Sequence, residues 1–227
     1  MTAARPDHDE VHLWQAPLDP DQRELAALES LLSMDERERA DRFRLDRDRA
    51  RYAAARGWLR RLIARYLDVD ASAVTFGRGA FGKPELTHPA ASWLRFNAAH
   101  SADLAVFAVA SHREIGVDVE RVRADFPVDA VANRFLSSEE QLALAALPPD
   151  RQSEAFFDMW VRREAYLKAL GVGLGGTDPD GAAPADQCAG WFLTAFDAGD
   201  GYAAAVAVEG RRVRVPATAQ PLRRSSF

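Results

Sequence analysis

The chain has 227 residues, of which 48% are hydrophobic, and its formal net charge is −5 with a pI near 5.6. This length allows one large domain or two small ones with a buried core. The acidic balance argues against a protein that binds nucleic acid over its whole surface. The start of the chain is polar and no run of about eighteen apolar residues occurs, so we expect a cytoplasmic protein without a membrane span.

Cysteine and lysine are both rare in this chain. Cys188 is the only cysteine, which excludes an intrachain disulfide, and no cluster of Cys and His suggests zinc. Of the 29 basic residues, only Lys83 and Lys168 are lysines. An ammonium group is a compact point charge that a guanidinium does not replace at a phosphate, so both lysines are candidate phosphate ligands. Chance placement is the alternative.

The first half alternates between strand-like and helix-like patterns. Ser33 and Glu36 have the spacing of a capping box, which opens a helix. Many arginines precede and enter the helix expected over residues 46–67, and they suit either a solvated face or a phosphate-rich ligand. His100 falls in an expected turn, where a local hydrogen bond and a binding role are both open. The expected elements are a strand from residue 11, a helix over 21–32, the helix over 46–67, a hairpin over 74–86, a strand over 93–97, a turn over 98–103 and a strand over 104–110.

A strand that carries two acids lies near the middle of the chain, over residues 115–120. Side chains alternate between the faces of a strand, so Asp118 and Glu120 point to the face opposite the apolar residues. Paired carboxylates on one rigid face suit a divalent cation such as magnesium. An acidic strand end that faces water is the alternative.

The second half repeats features of the first. Ser137 and Glu140 form a second capping-box pattern, and the Trp-Leu-Arg-Arg run at residues 58–61 has a counterpart in Trp-Val-Arg-Arg at 160–163. Trp93 likewise has a partner in Trp191. These matches predict an α+β fold made of two similar halves related by a pseudo-twofold axis. We expect the halves to span residues 1–114 and 115–215, with a flexible tail over 216–227.

A patterned helix is expected over residues 156–170, closed by Gly171. Trp160, Glu164 and Lys168 share one face of this helix, since they recur at every fourth position. A surface ion pair between Glu164 and Lys168 is the plain interpretation. A working acid is favoured instead, because the matched first-half position holds the apolar Leu62.

Together these residues resemble the 4'-phosphopantetheinyl transferases of the surfactin-synthetase-activating type. The likeness runs from about residue 32 to residue 173, and the order and spacing of its pieces make it specific. The pieces are the arginine-rich segment through Arg51, Gly82-Lys83-Pro84, Phe96-Asn97-Ala98-Ala99-His100-Ser101, Gly116-Val117-Asp118-Val119-Glu120, Phe135-Leu136-Ser137 with Glu140, and Trp160-Val161-Arg162-Arg163-Glu164-Ala165 with Lys168.

The resemblance implies a monomeric pseudo-dimer that moves the phosphopantetheine arm of coenzyme A to a serine of an acyl, peptidyl or polyketide carrier protein and releases 3',5'-ADP. It implies that Glu164 and Lys168 are catalytic, with Lys168 also against the phosphates. It implies that Asp118, Glu120 and Glu164 bind magnesium. The residues implied to bind the coenzyme are Arg39, Arg51, Lys83, Pro84, Asn97, His100 and Lys168.

Two departures from the family pattern stand out. Ala99 precedes the histidine where the family usually has serine, so we expect weaker coenzyme binding. Arg162 and Arg163 stand at positions where the family has a lysine at one or the other, which keeps the charge but changes its reach. The pathway and carrier served stay open from the sequence.

Rival interpretations are another magnesium-dependent phosphoryl or nucleotidyl transferase, or a non-catalytic binder of coenzyme A or a carrier protein. For a carrier, residues 121–136 offer a basic and apolar edge, and a solvated loop is the alternative. The residues proposed for that edge are Arg121, Arg123, Phe126, Arg134 and Leu136.

Overall fold

The structure is a computed structural model that describes residues 4–79, 83–172, 190–210 and 213–222. The first half contains strand β1 (Val11–Pro17), helices α1 (Gln22–Glu29), α2 (Met34–Ala40) and α3 (Asp46–Leu67), and strands β2 (Thr75–Arg78), β3 (Pro84–His88), β4 (Leu94–Ser101) and β5 (Leu104–Ser111). The second half contains strand β6 (Ile115–Arg121), helices α4 (Val128–Phe135), α5 (Ser138–Ala145) and α6 (Pro149–Leu170), and strands β7 (Trp191–Ala195), β8 (Tyr202–Glu209) and β9 (Gln220–Pro221). Cys188 and Gly82 lie outside the described residues.

The main elements stack in four layers, in the order helix, sheet, sheet, helix. One sheet has the strand order β4-β5-β1-β9 and the other β6-β8-β7. Alternation of side chains explains the stacking: in β5, Phe107 packs under α3 and Val106 packs against the second sheet. In β8, Val206 faces the first sheet and Ala205 faces α6. The described helices include none that is both long and apolar enough to cross a bilayer.

The strand order reveals the internal duplication. The first half runs β4-β5-β1 and the second runs β7-β8-β6, and both orders pair their strands in antiparallel fashion. A 22-residue helix covers each sheet, α3 in one half and α6 in the other. The shorter helices before them both open with the capping box expected from the sequence. The α+β pseudo-twofold fold is thereby confirmed.

A matching ion pair ties the long helix of each half to its capping box. In the first half the Nε of Arg60 donates to Glu36 at 2.8 Å, and both side chains are buried. In the second half Arg163 donates to Glu140 at 3.4 Å. The carboxylate that closes the capping box thus also anchors the long helix in both halves.

The twin ion pairs shift the alignment of the long helices by one residue. The ion pairs match Arg60 with Arg163, whereas the tryptophan pattern matched Arg60 with Arg162. The counterpart of Glu164 is then Arg61 and not Leu62. The prediction that Glu164 takes the place of a buried leucine was therefore wrong by one position. A match of only four residues with one mismatch did not fix the alignment of the two helices.

The C-terminal segment covers the outer edge of β1. Gln220 and Pro221 form β9, which runs parallel to Trp14 and Gln15 of β1. Leu222 is 2% exposed and joins the core beneath α3. The prediction of a flexible tail is therefore wrong for residues 216–222, while residues 223–227 lie outside the described part.

Candidate active site

Helix α6 and strand β6 approach closely where small residues separate them. Gly116 on β6 lies against the backbone at Ala165 of α6. The next polar positions on the two elements consequently face one another. They are Asp118 on the strand, and Glu164 and Lys168 on the helix.

Asp118 is a buried carboxylate with one partner and one unpartnered oxygen. Asp118 is only 3% exposed, and its Oδ1 accepts a hydrogen bond from the Nζ of Lys168 at 2.6 Å. Its Oδ2 is buried without a hydrogen-bond partner. Burial raises the pKa of Asp118 to about 6, although the Lys168 charge opposes the rise.

Glu164 is the second buried acid, on a residue 7% exposed. Its Oε1 has no hydrogen-bond partner. Burial, followed by the charge of Asp118, raises the pKa of Glu164 to about 7, against the opposing charge of Lys168. Two acids with pKa values moved towards neutrality beside one ammonium group are typical of a reactive site rather than of a surface ion pair.

Glu120 lies at the edge of this group. It projects from the same face of β6 as Asp118, while Val117 and Val119 pack between the sheets, as the alternation predicted. Its Oε2 accepts a hydrogen bond from the Oγ of Ser101 at 2.6 Å. Across the described ranges, no three His, Cys, Asp or Glu side chains converge as a formed metal site.

His100 lies in β4, opposite Ala105 of β5, and not in the expected turn. The turn is shorter than predicted, because Ser101 still pairs with Leu104 and only two residues link the strands. His100 is exposed, but partial desolvation and the neighbouring charge of Lys168 lower the pKa of His100, while the charge of Glu120 opposes this. His100 therefore lies within electrostatic reach of Lys168 and Glu120.

A cavity of about 190 Å³ opens beside His100, under the hairpin β2–β3. Arg39 and Arg56 line it, with Arg39 over the ring of Tyr52 and Arg56 over the ring of Phe76. Arg56 is also bonded through its Nε to the capping-box carboxylate at 2.7 Å. Asp35 and Glu36 also line the cavity, and Glu36 already pairs with Arg56, so Arg39, His100 and the two aromatic rings are the groups that suit an anionic ligand with a flat ring.

Lys83 and Pro84 lie between this cavity and a larger one of about 680 Å³ near the end of α6. Pro84 lines both cavities, and Lys83 lines the larger. The Nζ of Lys83 donates to the carbonyl of Ile115 at 3.3 Å and lies 3.5 Å from Glu114. Burial lowers the pKa of Lys83, although Glu114 opposes this.

Two further residues implied to bind the coenzyme, Arg51 and Asn97, also have partners within the chain. Arg51, near the N-terminal end of α3, makes two hydrogen bonds to Asp19, at 2.9 and 2.7 Å. Asn97 is 3% exposed, and its Oδ1 accepts a hydrogen bond from the backbone N–H of Val117 at 2.9 Å. The structure therefore gives Asn97 a contact with β6 in place of a surface for the coenzyme.

The basic edge suggested for a carrier protein is only partly available. Leu136 is buried at 6% exposure, so it is not part of a surface. Phe126 stacks on Phe156 with ring centres 5.4 Å apart. Arg123 and Arg134 remain exposed, each above a phenylalanine ring.

Three residues at the site have contacts that the sequence alone did not predict. Ser101 binds Glu120, Glu114 pairs with Lys83, and Arg56 lines the smaller cavity. Period-two alternation from Asn97 onward would have indicated Ser101, had β4 been extended past residue 97. No local pattern marks Glu114, because its partner comes from a distant hairpin.

Comparison with known proteins places both halves in one family. Residues 14–112 match the family described as "4'-phosphopantetheinyl transferase, N-terminal", and residues 114–209 match the "4'-phosphopantetheinyl transferase superfamily". The chain is 39% identical over 210 residues to the 4'-phosphopantetheinyl transferase HetI of Nostoc sp. (strain PCC 7120), covering 89% of both chains. It is 31% identical over 146 residues to the 4'-phosphopantetheinyl transferase Sfp of Bacillus subtilis (strain 168), covering 64% of this chain and 62% of that one.

Fold and site together define an α+β pseudo-dimer with one carboxylate–lysine site beside its central seam. Both halves and a relative that matches nearly the whole length agree on the assignment. The chain belongs to the 4'-phosphopantetheinyl transferase family, and it is of the type to which Sfp belongs.

Proposed function

We propose that this chain transfers the 4'-phosphopantetheine arm of coenzyme A to a serine of an acyl, peptidyl or polyketide carrier protein, converting the apo carrier to the holo form. The observation that carries the proposal is the meeting of Asp118, Glu164 and Lys168 beside the cavity that holds Arg39 and His100. Membership of the family supports the same reaction.

Asp118, Glu120 and Glu164 would hold a magnesium ion. Support comes from Asp118 Oδ2 and Glu164 Oε1, two buried carboxylate oxygens without partners, since such oxygens are hard donors that an octahedral cation accepts. A bound magnesium ion supplies positive charge against the oxygens of the pyrophosphate. Burial and mutual repulsion raise the pKa values of Asp118 and Glu164, and a bound cation would offset this by stabilising the ionised acids.

The coenzyme is proposed to bind with its nucleotide end in the cavity of about 190 Å³. Arg39 and His100 face the phosphates there, including the 3'-phosphate, while Lys83 and Pro84 bound the nucleotide where the two cavities meet. Arg51 reaches the ligand only if it exchanges its contact with Asp19. Lys168 approaches the pyrophosphate from α6.

The reaction joins the carrier serine oxygen to the phosphorus that bears the pantetheine. The bond from that phosphorus to the oxygen of 3',5'-ADP breaks, and the electron pair leaves with the nucleotide. Glu164 takes the serine proton, directly or through a water molecule, because it is a buried carboxylate with an unpartnered oxygen beside Lys168. Lys168 neutralises charge on the phosphates and donates a proton to the leaving group.

The carrier is proposed to dock on the side of Arg123 and Arg134, where exposed positive charge complements an acidic carrier surface. Charge reversal of both arginines should raise the apparent KM for the carrier without changing that for coenzyme A. An unchanged carrier KM would leave this segment as a solvated loop. We further propose that the protein acts as a cytoplasmic monomer, because its two halves already supply both sides of the site.

The proposed reaction is tested through its small product. The purified protein, coenzyme A, magnesium and an apo carrier are incubated, and 3',5'-ADP is measured by chromatography. Release that requires both the carrier and the metal supports the proposal. Binding of coenzyme A without product, across acyl and peptidyl carriers, would favour a non-catalytic binder.

A further inference from the structure

Strand β6, which carries Asp118 and Glu120, is an edge strand whose free edge faces the first half of the chain. Three side chains from that half bind its backbone. The Nζ of Lys83 donates to the carbonyl of Ile115 at 3.3 Å, and the Oδ1 of Asn97 accepts from the N–H of Val117 at 2.9 Å. The Oγ of Ser101 accepts from the N–H of Arg121 at 3.1 Å.

These contacts follow the period of the strand. In an antiparallel edge strand, every second residue presents its backbone groups outward, where no neighbour satisfies them. Ile115, Val117 and Arg121 all belong to the outward set, since they differ by two and four positions. Side chains of the first half therefore take the place of a missing neighbour strand along the edge of β6.

β4 supplies two of the three contacts, although it is itself an edge strand of the other sheet. Asn97 and Ser101 project from β4 to β6, and His100 lies on β4 between them. The same short strand thus holds both the backbone of the acid-bearing strand and the imidazole beside the coenzyme cavity. These side-chain contacts join the strand that carries the acids to the strand that lines the cavity of about 190 Å³.

Ser101 makes a second bond that reaches the acid itself. Its hydroxyl donates to Glu120 Oε2 at 2.6 Å while it accepts from the next backbone N–H, that of Arg121. A single oxygen atom therefore fixes both the carboxylate and the backbone that carries it. Hydrogen bonds of this kind orient carboxylates that bind a metal.

We propose that Asn97 and Ser101 are positioning residues that hold Asp118 and Glu120 in the geometry needed to bind a divalent cation against coenzyme A. The proposal rests on the proposed function for the identity of the site. It reassigns Asn97 from a coenzyme ligand to a residue that acts through β6. It gives Ser101 a role that its position in a loop-like sequence did not indicate.

The test measures binding of Mn²⁺ to the intact protein in the presence of coenzyme A, from the electron paramagnetic resonance signal of free Mn²⁺. Ser101→Ala is expected to weaken Mn²⁺ binding about tenfold or more, with the KM for coenzyme A within about twofold of wild type. Ser101→Thr keeps the hydroxyl and should restore binding to within about threefold. Ser111→Ala removes a strand hydroxyl away from the acids, buried and bonded to Arg5, and serves as the control.

A second measurement follows the backbone, because Asn97→Ala removes a buried acceptor and risks misfolding. Hydrogen exchange at the Val117 amide should become at least about fivefold faster in Asn97→Ala, while amides of α3 keep their protection. In Ser101→Ala the Arg121 amide should respond in the same way.

The outcomes separate the two proposals. Unchanged Mn²⁺ binding in Ser101→Ala, or a loss that Ser101→Thr fails to recover, would overturn the positioning role. Wild-type protein that binds Mn²⁺ with coenzyme A but modifies no carrier would contradict the proposed function and leave the positioning role standing if Ser101→Ala weakens that binding.

Discussion

Gly116 of β6 lies directly beneath Ala165 of α6, and this contact sets the distance between the two elements that form the site. A Cβ atom at Gly116 would lie 2.9 Å from the Cα of Ala169 and closer still to the carbonyl oxygen of Ala165. Any side chain would push the helix away from the strand. The absence of a side chain at Gly116 therefore permits the close approach of β6 and α6 that brings Asp118 and Lys168 together.

Gly116→Ala is therefore expected to destabilise the protein by about 1–3 kcal/mol or more and to abolish transfer by the molecules that still fold. Gly57→Ala is the comparison, because its added Cβ would lie 2.6 Å from the Cβ of Leu28 on α1, away from the acids. That variant should lose stability but keep its kcat per folded molecule. Urea denaturation and transfer assays measure both quantities, and a fully active Gly116→Ala would refute the argument.

Glu164→Gln preserves the shape of the side chain but removes the base. We expect kcat to fall at least about 100-fold, the lower end of what general bases contribute, while coenzyme A binding stays within about threefold. Glu154→Gln is the matched control, since Glu154 lies on the same helix but is exposed and paired with Arg151 at 3.3 Å. Single-turnover kinetics and calorimetry give the two numbers. Turnover near the wild-type level would remove Glu164 from the base role.

The raised pKa values of Asp118 and Glu164 predict how stability depends on pH when metal is removed. Burial moves these pKa values to about 6 and about 7, whereas both acids titrate near 4 in the unfolded chain. Between about pH 4 and pH 7 the folded protein binds more protons than the unfolded chain, so these groups lower stability as the pH rises. Above about pH 7 both acids are ionised in the folded and the unfolded chain, so their contribution to the free energy of unfolding no longer changes with pH.

In EDTA, Glu164→Gln should consequently gain stability relative to wild type as the pH is raised from 5 to 8. The gain should be on the order of 1–3 kcal/mol, since one pKa unit corresponds to about 1.4 kcal/mol. Urea denaturation at several pH values measures it. Parallel pH profiles for the two proteins would mean that Glu164 is not held in an environment that opposes its charge.

Arg39 and Arg51 should differ in their effect on coenzyme binding. Arg39 lines the cavity beside His100, whereas Arg51 is engaged with Asp19. Arg39→Gln is expected to raise the KM for coenzyme A about tenfold, as the loss of a charge-assisted hydrogen bond would. Arg51→Gln should raise it less than about threefold. The reverse order would show that Arg51 leaves Asp19 when the ligand binds.

The sequence predicted the duplication because its signals are local. Capping boxes, a helical apolar face and strand alternation depend on neighbouring residues, and the helix over 46–67 appears with those bounds. The faces of Asp118 and Glu120 also followed from alternation alone. The alignment of the long helices of the two halves did not follow from the sequence, because a match of four residues is too short to exclude an offset of one residue.

What escaped prediction depends on contacts between distant segments. The burial of Leu222 requires that the C-terminal segment reach β1, and nothing near residue 222 signals this. The partners of Asn97 and Ser101 lie across the boundary between the halves, so the motif that contains them indicated a ligand site but not its geometry. The metal and coenzyme roles rest on likeness to a family and stay predictions.

Transfer itself is measured by the intact mass of an apo carrier protein incubated with this protein, coenzyme A and magnesium. We expect the carrier to gain the mass of one phosphopantetheine arm on its serine, and we expect EDTA or Glu164→Gln to abolish the gain. An unmodified carrier in the complete mixture, across acyl, peptidyl and polyketide carriers, would contradict the proposed function.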